Sequence, residues 1–182
     1  MKKIFLLITF LAFTLNSAFA QKVLIKQGDQ YVGAKLALVG VAGASWGLVG
    51  NYEMGYQDNI GIGGAVGYSG YSQTADFYDI SYSSILILAT GTYHYDVLHN
   101  DKIDTWGALS LGYNVQSASA KYTGPTFNIP GWAAPSWSGS AGSGLMIGLS
   151  ANGRYAITDK LSAAASLGFG VGLLQIGVDY KL

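Results

Sequence analysis

Cysteine is absent from this sequence, which removes disulfides, metal–thiolate sites and a cysteine nucleophile in one step. Charge is scarce as well: 11% of the 182 residues are Asp, Glu, Lys or Arg, against roughly 25% in ordinary soluble domains. A water-exposed surface needs more than that. Past residue 20 there is also no apolar run as long as a membrane helix, which takes about 20 residues. At the start of the chain, Lys2 and Lys3 precede the uncharged run IFLLITFLAF, and Ala18-Phe19-Ala20 supplies a small-x-small pattern. These features predict a signal peptide over 1–20, cleaved after Ala20, and one exported domain over 21–182. The exported part carries 8 Lys and Arg against 10 Asp and Glu, since the leader holds two lysines and no acids. That balance gives no footing for nucleic-acid binding. An exported, charge-poor chain without a membrane helix has one further way to live in lipid, a closed β-barrel.

Period-two alternation supports that architecture. It runs through roughly 30–39, 46–56, 60–70, 82–95, 103–115, 144–156, 161–170 and 173–182, each about long enough for a tilted membrane strand. The expected fold is all-β: an eight-stranded antiparallel up-and-down transmembrane barrel. Polar stretches at 57–59, 96–101 and 158–160 read as short turns on the periplasmic side, and 71–81 and 116–143 as long outer loops. The apolar phase, with Leu48, Ile87, Leu149 and Ile176, should face lipid. Tyr52, Tyr56, Tyr93, Tyr95, Tyr155 and Tyr180 would form one interfacial ring in that phase, and Trp46, Tyr68, Tyr113 and Phe169 the other. The opposite phase reads Gly61, Gly63, Ala65, Gly67, Ser69 on one strand and Ser162, Ala164, Ser166, Gly168 on another. A soluble barrel would turn this phase to water and fill it with Lys, Glu and Thr; these small residues suit a narrow interior.

The same phase sends Lys35, Glu53, His94, Asp104, Arg154, Asp179 and Lys181 inward, most of them near the periplasmic ends of their strands. An eight-stranded lumen is only wide enough for side chains to fill. Glu53, Asp104 and Asp179 are therefore expected to pair with Lys35, Arg154 and Lys181 as a charge network plugging that end. Further out, Val49, Leu86, Leu88 and Met146 make the interior less polar, which leaves room for an alternative: a narrow conduit or binding site for a small hydrophobic molecule.

Catalytic and cofactor patterns do not emerge. His94 and His99 are the two histidines, no serine sits in a nucleophile elbow, and the glycine-rich GVAGASWG and GIGGAVG precede no helix that would make a phosphate loop. No metal, cofactor or catalytic residue is assigned. The stretch 116–143 holds all three prolines with Trp132 and Trp137, residues suited to meeting an extracellular partner or to folding over the barrel mouth.

The run GRYAITDKLSAAASLGFGVG (153–172), followed by LQIGVDYKL, resembles the closing strands of the small eight-stranded outer-membrane barrels of the OmpA/OmpX type. The resemblance implies that Gln175, Gly177, Tyr180 and Leu182 form the assembly signal read by the outer-membrane insertion machinery, with Leu182 where the family prefers Phe. It further implies a multi-pass place in the bacterial outer membrane, among lipid and lipopolysaccharide. The function it implies is non-enzymatic: a structural anchor presenting surface loops for recognition or adhesion. A few members modify lipid A, but His94 is followed by Tyr95 and Asp96 rather than the serine those enzymes carry.

Overall fold

The computed structural model describes residues 24–41, 44–125 and 135–182. The expected leader and cleavage point, like Pro130 and Trp132, lie outside the described residues. Nine strands follow one another: β1 (Gln30–Val41), β2 (Ala44–Gln57), β3 (Ile60–Ala75), β4 (Tyr78–His94), β5 (Ile103–Tyr122), β6 (Trp137–Ser140), β7 (Gly144–Ala156), β8 (Leu161–Phe169) and β9 (Leu174–Lys181). All pairings are antiparallel. Eight strands close a barrel in the order β1-β2-β3-β4-β5-β7-β8-β9, and β9 returns to β1 through a register running from Tyr31↔Lys181 to Leu38↔Leu174. Within the closed belt these strands have no unpaired edge, and past Ser69 β3 runs on without β2 beside it. β6 is an addition, laid beside the far end of β5. No described helix is long and apolar enough to cross a membrane.

The side chains sort as the alternation predicts. Leu48, Val66, Ile87, Leu109, Ile147, Leu149, Leu167 and Ile176 point out and stay exposed, while Ser69, Ser84, Ser110, Ser166, Lys35, Glu53, His94, Arg154 and Asp179 are buried. That arrangement inverts a water-soluble protein and suits a solvent that is itself apolar. Both aromatic rings are exposed at the ends of the apolar belt. Tyr52, Val32 and Tyr180 even stand in one cross-strand row, through the pairs Val32↔Tyr52 and Val32↔Tyr180.

The long-strand end departs from expectation. Residues 71–81 are not a loop: β3 and β4 continue as a ribbon to Ala75↔Tyr78, turning at Asp76 and Phe77. Asp76 takes the positive φ of 49° that a tight hairpin turn demands. Stacking of Tyr71 on Tyr82 (4.8 Å), the Ser72–Ser81 hydroxyl contact (2.9 Å) and the Thr74 Oγ1 donation to Asp79 (2.8 Å) hold the ribbon together. Likewise 116–143 is only partly loop, because β5 pairs with β4 as far as Tyr122 and with β6 from Ser117 to Ala120. β3, β4 and β5 have 16, 17 and 20 residues, more than the about 9 to 11 that crossing lipid needs. Beyond Tyr68 the outward phase turns to Gly70, Ser72 and Thr74, so the ribbon stands clear of the apolar belt.

Candidate functional site

A block of ionic side chains spans the lumen near the short-turn end. The barrel register assembles it: Asp104 lies opposite Arg154 across β5–β7, and His94 opposite Trp106 across β4–β5. Glu53 reaches in from β2. Arg154 Nη1 donates to Glu53 Oε2 (3.3 Å), and Arg154 Nη2 lies 2.5 Å from Asp104 Oδ2 in an ion pair whose angles fall outside those of a hydrogen bond. His94 joins the two acids from the other side, with Nε2 2.9 Å from Glu53 Oε1 and Nδ1 2.8 Å from Asp104 Oδ1. Both imidazole nitrogens thus stand within hydrogen-bond distance of an acid, so Glu53 and Asp104 share two basic partners, His94 and Arg154. The Thr92 hydroxyl gives Glu53 Oε1 a further donor at 2.6 Å.

Aromatic rings frame the block. The Arg154 guanidinium carbon lies 3.5 Å from the Tyr31 ring centre and 4.9 Å from that of Trp106, and His94 stacks on Trp106 at 5.2 Å. Such contacts favour a desolvated cation. Gly61 completes the fit: a Cβ there would stand 2.3 Å from Thr92 Oγ1 and 2.8 Å from Glu53 Oε1, so only glycine leaves space for that hydrogen bond.

Of the six residues expected to form a network, the structure brings Glu53, Asp104 and Arg154 together and leaves three outside. Lys35 lies deeper in the barrel, donating to Ser166 Oγ (3.4 Å). Asp179 accepts from Asn51 Nδ2 (3.3 Å). Lys181, at the end of β9, reaches Asp29 at 2.9 Å instead of the lumen. Shared phase puts side chains on one face; it does not put them at one depth. His94 is the member that charge matching overlooked, although its inward phase was visible, and Trp106 and Tyr31 carried no ionic signal at all. His99 stays apart in an exposed turn, its backbone N–H on Asp96 Oδ1 (2.8 Å).

Side chains crowd the lumen above the block, while below it a cavity of about 550 Å³ borders Leu24, Tyr31, Asp104, Arg154, Ser162 and Lys181. Toward the long strands lies a cavity of only about 70 Å³, bordered by Lys35, Asn51, Ser110, Asn152 and Gln175. Beyond it Ala37, Val49, Leu86 and Leu88 pack together, with Ala65, Met146 and Val171 against them. The residues that suggested a hydrophobic conduit thus pack against one another. Below the block, residues 24–29 tuck in under β2: Gly28 N–H donates to Gly55 O (2.9 Å), Gly55 N–H to Asp29 O (2.8 Å) and Asn59 N–H to Ile25 O (2.9 Å), and Ile25 is wholly buried.

The expected assembly residues fall on β9 and its end. Gln175 points into the lumen, Gly177 pairs with Lys35, Tyr180 faces out in its aromatic ring, and Leu182 N–H donates to Gln30 O at 3.0 Å.

No family model matches this chain, and no curated protein matches its sequence. Solved structures do share its fold. Ail, the attachment invasion locus protein of Yersinia pestis, superposes with a TM-score of 0.51 at 14% identity, over 86% of this chain and 99% of Ail. The N-terminal β-barrel domain of Pseudomonas aeruginosa OprF gives 0.51 at 15% identity, over 86% and 98%. A de novo designed transmembrane β-barrel gives 0.53 at 14%, over 89% and 99%. At such identities the likeness is one of fold.

Proposed function

We propose that this chain is an integral outer-membrane barrel that serves as an anchor and carries its recognition surface on the long-strand end, with no catalytic role. The observation that carries this reading is the ionic block of Glu53, His94, Asp104 and Arg154 set across the lumen, behind an outward face that is apolar between two aromatic rings. A barrel closed along its axis offers partners only its ends. One end consists of short turns; the other raises β3, β4 and β5 beyond the apolar belt and adds β6 and the connection 123–136. In this orientation the short turns face the periplasm and the raised strands face the outside. The attachment role in the name of the Yersinia neighbour supports the same division of labour, and the leader expected over 1–20 agrees with the export that it requires.

The test is a variant in which 123–136 is replaced by a short Gly-Ser turn. It should keep the heat-resistant compact band of a folded barrel in unheated gels and lose attachment of expressing cells to their target surface. Attachment at the parental level would remove recognition from that connection.

A further inference from the structure

The tip of the β3–β4 ribbon carries a concavity that the anchor reading does not use. It encloses about 420 Å³ on the face that continues the inward phase of the barrel strands. Register brings its walls together. Ile80, Ala120 and Trp137 lie side by side across β4, β5 and β6, and one step nearer the turn Ala75, Tyr78 and Tyr122 line up across β3, β4 and β5. Residues two apart on a strand share a face, so both rows look to the same side. The turn closes the end. Asp76 bends it at a φ of 49°, Phe77 O accepts from Thr123 N–H (2.7 Å), and the Phe77 and Tyr78 rings both rest on Tyr122, at 6.3 and 5.4 Å between ring centres. Tyr122 thus braces two of the three aromatic walls, while Phe77 and Trp137 stay more than half exposed. Asp76 is the one charged residue among the described residues lining the concavity, and it forms no ion pair with any of them. Lys121, between Ala120 and Tyr122 on β5, falls in the opposite phase and faces away.

Each feature narrows the ligand. The volume falls in the range of about 300 to 1,000 Å³ typical of small-molecule sites. Three aromatic faces and one carboxylate favour a cation, since the ring quadrupoles and the acid attract it together. An anion would meet only repulsion. An uncharged apolar ligand would cover the Asp76 carboxylate and strip its water without replacing it. Among cations, a primary ammonium or a guanidinium brings several N–H donors, and the side chains of Phe77, Ile80, Ala120 and Trp137 offer them no acceptor. Donors buried without partners are costly. A quaternary ammonium has none, because its methyl groups spread the charge over C–H surface that can lie directly on the rings. We propose that the ribbon tip is an aromatic cage for a trimethylammonium group, with Phe77, Tyr78 and Trp137 as its walls and Asp76 as its counter-charge. The inference rests on the anchor reading only for the side from which the ligand arrives.

The test uses the full chain folded in dodecyl maltoside micelles, a detergent with no ammonium group of its own. Choline is the probe and neohexyl alcohol, its uncharged carbon isostere, the comparator; acetylated lysine and arginine amides stand for the side chains of a protein partner. Binding is read by saturation-transfer NMR and by titration. Choline should bind at least about tenfold more tightly than the alcohol. Trp137→Ala should weaken choline about tenfold and Asp76→Asn about fivefold, with the compact band of the folded barrel retained. If Trp137→Ala fails to fold, Phe77→Ala replaces it with the same expectation. Glycerophosphocholine separates the sources: binding as tight as that of choline assigns a lipid headgroup, and binding of choline alone assigns the free cation. Equal binding of the alcohol, tighter binding of either amide than of choline, no binding of choline, or binding unaltered by Asp76→Asn or by the aromatic variant overturns the proposal. Micelle binding needs no outer-membrane orientation, so failure here leaves the anchor reading intact, and the reverse holds too.

Discussion

Arg154 is held from four directions: Glu53 and Asp104 take its charge, and the Tyr31 and Trp106 rings cover its plane. Removing one partner from a buried ionic set strands the rest, at a cost of about 3 to 5 kcal/mol, whereas removing the set as a whole can be nearly neutral. Arg154→Met should therefore lower unfolding free energy in urea by about 3 to 5 kcal/mol, because two acids would then share His94 alone. Glu53→Gln/His94→Gln/Asp104→Asn/Arg154→Met should lie closer to the parent than Arg154→Met does. A quadruple variant less stable than the single one would show that the ionic set is held together by more than charge balance. Gly55 makes the equivalent point for shape. A Cβ there would come 2.0 Å from the Lys26 backbone oxygen, a group that cannot swing aside as a side chain would. Gly55→Ala should release residues 24–29 and open the bond after Lys26 to trypsin, while the compact band of the folded barrel survives.

Strand phase was legible element by element, and depth was not. Each barrel strand lies where the alternation of apolar and small residues placed it, because a one-residue slip would turn every apolar side chain into the lumen. The ends of β3, β4 and β5 were hidden by chemistry: Ser72, Thr74, Ser81, Ser117 and Ser119 read as loop residues, yet on a ribbon standing in water both faces are free to be polar. The turn at Asp76-Phe77 lacks the Asn-Gly or Asp-Gly signal that announces a tight hairpin. In the interior, the sequence showed which acids and bases share a face, but the tilt of strands around a barrel decides which of them meet. That is why Lys35 bonds Ser166 and Lys181 bonds Asp29 while His94, two residues along the strand from Thr92, enters the ionic block.

On the scale of the whole molecule, closure through β1 and β9 is the step that every other feature presupposes. Without it two long edges stand exposed, in lipid or in water. Deleting Tyr180 to Leu182 removes the Tyr31↔Lys181 and Val32↔Tyr180 pairs along with one aromatic of the interfacial ring. Outer-membrane insertion of that truncation should fall further than for any change in 123–136, as measured by fractionation of expressing cells; normal insertion would remove the closing strand's end from the assembly signal. The interior then decides what an inserted barrel does. Among the described residues the ionic block, a cavity of about 70 Å³ and the Leu86–Leu88 cluster follow one another along the axis, an order expected to oppose the passage of ions. Single-channel recording of the purified, folded chain in planar bilayers tests this most directly. The anchor account predicts current indistinguishable from that of the bare membrane, and a steady conductance proportional to the amount of inserted barrel would contradict it.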